Sequence, residues 1–254
     1  VLNYAAKYKP ELLYNIYRMG KNSIEKGNKD TYSLSPSKIA VIDSAIAKLN
    51  KEDKNVHSQR RNPIQALDSL FSNPAYRDPR AYIITANQKN PATTNRFLSA
   101  LSANGIKIEQ ATEAFQVSGK LFPANSYIIK TNQAFRPHIL DMFEAQDHPN
   151  DFEYPGGPPI APYDAAGWTL AYLMHINFER IYEPITVESM LLPFGEPIKS
   201  IKATISNSKY IGLSIQENES FKIVNQLLAD NVKVYRLSSG DFAVLNNEKN
   251  KAIL

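Results

Sequence analysis

The hydrophobic pattern of the chain begins at helical spacing and switches to short strand-like runs farther on. Over residues 10–27, Leu12, Leu13, Ile16, Met19 and Ile24 recur on roughly one helical face. This predicts an amphipathic helix, with Pro10 suited to its first turn and Gly27 to its C-terminal cap. A polar stretch over 28–38 leads to a shorter apolar-periodic segment, 39–49, whose pattern leaves helix and strand both open. A highly charged stretch, 50–62, follows. Ile64, Leu67, Leu70 and Phe71 then share one face and predict another helix over 63–71, before a turn-rich 72–80.

The period then changes to that of a pleated strand. Ala81-Tyr82-Ile83-Ile84-Thr85-Ala86 reads as a strand, and Asn90-Pro91 opens a helix whose apolar face carries Phe97, Leu98 and Leu101 and which ends at Asn104-Gly105. Further strands are predicted at 106–108, 115–117 and 126–130, so that a strand-helix-strand unit carries an added hairpin. A second copy follows: Tyr82-Ile83 is matched by Tyr210-Ile211, Gln88 by Gln216 and Asn90 by Asn218. After a two-residue slip, Leu101 matches Leu227, 104–108 matches 230–234, and 127–129 matches 242–244. This predicts an internal repeat of one α/β unit, although unrelated strand-helix-strand units also resemble one another.

The fold class expected is therefore α/β: repeated strand-helix-strand units forming mixed or parallel sheets with covering helices, preceded by a mainly helical segment. Three regions follow, a helical linker over 1–78, a first α/β unit over 79–185 and a second, shorter one over 186–254. Between the copies, 135–142 reads as helix, while 147–151 and Tyr154-Pro155-Gly156-Gly157-Pro158-Pro159 read as loop. The stretch 161–174 reads as a further helix with Asp164 near its N-terminus, where a carboxylate caps free amides.

Composition narrows the chemistry. The 254 residues are 43% hydrophobic, enough to build a core, and 29 Lys and Arg against 25 Asp and Glu leave a formal charge of +4, too small and too scattered to mark a nucleic-acid surface. The one basic cluster, Lys48, Lys51, Lys54, Arg60 and Arg61, is interrupted by Glu52 and Asp53 and reads as a solvated linker. The lack of cysteine removes disulfides, thiolate metal sites and cysteine nucleophiles, but leaves the compartment open. No apolar run is long enough to span a bilayer. The opening Val1-Leu2-Asn3-Tyr4 is neither an initiator Met nor a signal peptide, so the chain reads as part of something longer.

The search for catalytic and metal sites returns none. His57, His138, His148 and His175 are far apart, with no His-Glu-x-x-His or His-x-x-Glu spacing. His148 with Asp147, Asp151 and Glu153 reads as solvated loop rather than as a metal site. Gly-x-Ser-x-Gly and the phosphate-cradling glycine loop are both missing, and prolines around Gly156-Gly157 lack the amide hydrogens an anion cradle uses. The carboxylate pairs Glu109/Glu113 and Asp141/Glu144 read first as surface charge, with acid-base work as the alternative. Tyr163, Asp164 and Trp168, which follow the Pro-rich loop and include the sole Trp, are the candidate ligand contacts. Their architectural reading is a helix cap for Asp164, a core anchor for Trp168 and a loop anchor for Tyr163.

Pro79-Arg80-Ala81-Tyr82-Ile83-Ile84, Phe122-Pro123-Ala124-Asn125-Ser126-Tyr127 and above all Pro162-Tyr163-Asp164-Ala165-Ala166-Gly167-Trp168-Thr169-Leu170 resemble the region downstream of the peptidase domain in large bacterial zinc carboxypeptidase-like proteins. Members of that family hydrolyse peptide bonds with zinc held by a His-x-x-Glu pair and a distant His, aided by a catalytic Glu. None of these maps onto this chain. The resemblance implies a non-catalytic accessory region that supports or restricts the cleft of an exported (periplasmic or extracellular) metallopeptidase. On that reading zinc belongs to the upstream peptidase domain, that domain is the main partner, and peptide substrate is a further one. The residues themselves leave two other readings open, a free-standing α/β ligand-binding module and a hydrolase using a carboxylate pair.

Overall fold

The computed structural model describes residues 1–52, 68, 73–147, 151–161, 169–196, 198 and 207–253, with 49–52 described in their backbone alone. The chain starts with a helical arm, α1 (Leu2–Lys7) and α2 (Lys9–Gly27), followed by α3 (Pro36–Glu52). The segment left open between helix and strand is thus helical. The helix expected over 63–71 lies outside the described residues, save Asp68. Pro10 stands in the first turn of α2 as expected, but Gly27 is still helical and Asn28 caps the end.

The body combines helices with antiparallel sheets. Strands β1 (Ala81–Ile84), β2 (Glu109–Ala111), β5 (Tyr127–Lys130), β6 (Phe178–Ile181) and β7 (Ser189–Leu191) form a five-stranded sheet in the order β6-β1-β5-β2-β7. A hairpin of β3 (Phe115–Val117) and β4 (Lys120–Phe122) interrupts the sequence between β2 and β5. Helix α4 (Pro91–Ala103) joins β1 to β2, and the Asn90 side chain caps it by accepting from the Thr93 amide. Helices α5 (Arg136–Phe143) and α6 (Leu170–Leu173) lie between β5 and β6.

The expectation of parallel or mixed sheets is corrected, because every strand pair among the described residues is antiparallel. The reason lies in the hairpin, which turns the chain so that β5 returns between β1 and β2 and pairs with both. β1 and β2 therefore run in the same direction without touching. Two further differences are local. The strand expected at 106–108 begins only at Glu109, since the Ile106 amide still bonds the Leu101 carbonyl at the end of α4. Of the helix expected over 161–174, the described part is α6, which starts after Thr169 at φ 54.

The second unit repeats this order of elements. Strand β8 (Tyr210–Leu213), α7 (Asn218–Ala229), β9 (Val234–Arg236) and β10 (Phe242–Leu245) give a three-stranded sheet with β10 in the middle, antiparallel to both neighbours, and α8 (Glu248–Lys251) closes the described chain.

Both faces of the first sheet are covered, which is why β1 is buried at all four positions. Tyr82 and Ile84 face a cluster with Phe97, Leu98 and Leu101 of α4 and Ile139 and Phe143 of α5. Ala81 and Ile83 face Phe122, Ile128 and Ile181 under the hairpin. Tyr82 stacks on Phe143 with centroids 4.2 Å apart, and Phe97 and Phe178 meet Phe143 edge-on. Such rings each bury roughly 150–250 Å2 and dominate a core of this kind.

The two units meet at the N-termini of α4 and α7. Asn90 donates to the Gln216 carbonyl at 2.9 Å, Asn218 donates to the Thr93 hydroxyl at 3.0 Å, and Arg96 pairs with Glu219. Asn90 and Asn218 thus each bond into the opposite unit.

Candidate functional site

Two concave surfaces flank the first sheet, and their chemistry differs. The first is a groove of about 890 Å3 between the start of α3, the 75–79 segment and α5. Its floor is the ion pair of Arg136 with Asp78 at 3.0 Å, both less than a tenth exposed. Thr31 and Ser33 add hydroxyl bonds to Asp78 at 3.0 and 2.8 Å, and the Ser33 amide adds a third at 3.0 Å. Arg77 and Arg80 hold Asp30 nearby. The Arg80 hydrogen bond, more than any other influence, keeps the Asp30 carboxyl below its usual pKa.

Asp141 and Glu144, one of the carboxylate pairs, both line this groove. Burial raises the Asp141 pKa, partly offset by the charge of His138. Glu144, however, accepts from the Tyr82 hydroxyl at 2.7 Å and from Arg180 Nε at 2.9 Å. Burial, then the Glu144 charge, push the Tyr82 pKa well above the usual tyrosine range. A carboxylate held by a guanidinium and a phenol is fixed as an acceptor, so Glu144 joins the end of α5 to β1 and β6. The other pair separates: Glu109 bonds Lys130 and Ser189, and Glu113 is exposed.

The second surface is a cleft of about 680 Å3 at the carboxyl end of β1, beside the N-terminus of α4, the end of β2 and the start of β5. A concave surface of this size, apolar with a few polar groups, is of the kind that takes small ligands. Asn87, Gln110, Asn125 and Tyr127 give it a polar lining, while Pro91, Leu192 and Pro193 give it apolar wall. The 192–198 strap is pinned to α4, since the Ser102 hydroxyl accepts from the Gly195 amide and the Ser99 hydroxyl from the Ile198 amide. Gln88 is locked away from chemistry by bonds to Thr85 and to both backbone groups of Asn177.

Tyr163, Asp164 and Trp168 lie outside the described residues, as does His148. Thr169, directly after that segment, lines the groove, and its amide bonds the Asp141 carbonyl. Asp147 is taken by the amide and hydroxyl of Ser37. No group of three or more metal-ligating side chains occurs among the described residues, and the best-placed carboxylates, Glu109 and Glu144, already face cations. No described helix is long and apolar enough to cross a membrane.

The cleft residues Asn87, Gln110, Asn125 and Tyr127 were not readable as a group in the sequence, because they come from three separate segments. The one usable signal is the run Asn87-Gln88-Lys89-Asn90 between a strand and a helix. In comparisons with known proteins, no family model, no curated protein and no solved structure matches this chain.

Proposed function

We propose that this chain is a non-catalytic α/β region of a zinc carboxypeptidase-like metallopeptidase, and that it is docked to the peptidase domain through the apolar face of α2. The Pro-Tyr-Asp-x-x-x-Trp-x-Leu segment at 162–170 gives the family resemblance. The observation that carries the docking is the state of α2. Leu13, Ile16, Gly20, Ile24 and Gly27 share one face of the helix. At its C-terminal end that face lies on the body: a Cβ on Gly27 would fall 2.3 Å from the Asn132 Cα, and one on Gly20 would touch Ala134. Toward the N-terminus the same face runs clear of the body, and Leu12, Leu13, Ile16, Met19 and Ile24 stay exposed. A contiguous apolar stripe of this kind marks an interaction surface.

The test compares the chain alone with the protein from its full reading frame. The expected results are zinc-dependent cleavage of C-terminal peptide bonds by the full-length protein only, and slower amide hydrogen exchange across Leu12–Ile24 in it. Zinc-dependent cleavage by the chain alone, or equal exchange of that stretch in both proteins, overturns the proposal. The second reading, a free-standing ligand-binding module, is favoured by the cleft at the end of β1. A full reading frame without a peptidase domain selects it.

A further inference from the structure

The cleft at the carboxyl end of β1 presents polar groups that the protein itself leaves unused. Tyr127 is 8% exposed and lines the cleft, yet its hydroxyl has no hydrogen-bond partner among the described residues. Its ring is held in the core while its hydroxyl reaches the open cleft, where a ligand can bond it. Burial raises its pKa, which keeps the group a hydrogen-bond donor. The side-chain amides of Asn87 and Asn125 are also unpaired among the described residues. Gln110 spends one amide hydrogen on a long 3.4 Å bond to the Asn125 carbonyl and leaves its Oε1 open. Asn125 is held at φ 67, a conformation few residues other than Gly and Asn adopt readily.

The unpaired carboxamides of Asn87 and Asn125, the half-used one of Gln110 and a phenol converge, offering both donors and acceptors. That set complements a ligand which itself alternates donor and acceptor, as a peptide backbone does. Charge narrows the class further. Among the described lining residues there is no Lys, Arg or His, and Glu196 is the charged group. Phosphate and carboxylate ligands would enter without a counter-ion, whereas a blocked or amine-bearing ligand meets no penalty. Pro91, Leu192 and Pro193 supply apolar contact beside the polar groups. Among the described lining residues there is no exposed aromatic face on which a sugar ring could stack, since the Tyr127 ring belongs to the core.

We infer that this cleft is a binding site for a short peptide segment without a free carboxylate end, its backbone amides paired with Asn87, Gln110, Asn125 and the Tyr127 hydroxyl. Apolar side chains of the peptide lie against Pro91, Leu192 and Pro193. Binding here requires nothing of α2, so its failure leaves the docking of the peptidase domain untouched.

The test is a titration of the 254-residue chain with acetyl-Leu-Ala-Leu amide, followed by NMR through the side-chain amide resonances. The same titration is run with the free-acid peptide, with chitotriose and with inorganic phosphate. Saturable shifts at Asn87, Gln110 and Asn125 are expected with the blocked peptide, and weaker ones with the free acid. Tyr127→Phe should weaken binding by about 3- to 10-fold, the worth of one hydrogen bond. Asn125→Gly, which keeps the backbone conformation accessible, should do the same, with near-UV circular dichroism unchanged in both. No saturable shift at millimolar peptide, equal affinity in both variants, or binding of chitotriose or phosphate in place of the peptide overturns the assignment.

Discussion

At the scale of single residues, the buried charges among the described residues are paired. Arg136 shows this most sharply. Its guanidinium sits against Asp78 and Thr31 with almost no solvent, and its Nε finds no acceptor among the described residues. Breaking a buried pair costs more than deleting it whole. Asp78→Ala should therefore lower stability by about 3–5 kcal/mol, since it strands a buried cation and also frees Thr31 and Ser33. Adding Arg136→Met to Asp78→Ala should recover much of that loss in urea unfolding. Equal stability of the single and double variants would mean that the pair's cost lies elsewhere. The site was least legible at this scale. Asp141 and Glu144 were visible as a pair, but Arg180 and Tyr82, which decide the role of Glu144, come from distant strands that only the fold brings together.

Elements were legible where the chain's pattern and its end signals agreed. Helix α4 follows directly from Asn90-Pro91 at one end, Asn104-Gly105 at the other, and Phe97, Leu98 and Leu101 between them. β1 and β5 follow from runs of β-branched and aromatic residues. β6 and β7 escaped notice because edge strands are short and carry polar residues such as Glu179 and Arg180, which break the alternation. Ile106 and Ile108 look like a strand and are fully buried, yet they form the exit from a helix. Burial of an apolar pair says where it points, not how its backbone is paired. At the same scale, Gly27 anchors α2. Gly27→Ala would drive a methyl group into the Asn132 backbone, and backbone cannot give way as a side-chain end can. The arm should detach, seen as faster hydrogen exchange over 20–27 with the sheet amides of β1 and β5 still protected. Unchanged exchange in the arm would show that another contact holds it.

On the scale of the whole molecule, the two sheet units share an order of strands and a junction built from corresponding residues. Asn90 and Asn218 each reach into the opposite unit, and Arg96 pairs with Glu219 across the gap. A contact set this small and polar contributes on the order of 1 kcal/mol per bond at most, far less than either core. The units should then melt separately once it is weakened. Asn90→Ala combined with Asn218→Ala should split a single calorimetric transition into two, or widen the gap between two existing ones. A transition identical to that of the unaltered chain would show that apolar packing, not these amides, couples the units.

The place of β7 has a consequence for how the chain is made. It pairs with β2 at the edge of the first sheet, although the end of β2 at Ala111 and the start of β7 at Ser189 are far apart in sequence. Central β1 likewise waits for β5 on one side and β6 on the other. During synthesis from the N-terminus, the Pro/Gly-rich 154–159 turn and α6 must all leave the ribosome before this sheet gains its outer strands. Until then the edges of β1 and β2 stand open to pairing with other chains. A released chain ending just before Ser189 should thus be a better client for chaperones than one ending just after Leu191, a difference set by three residues at the sheet edge.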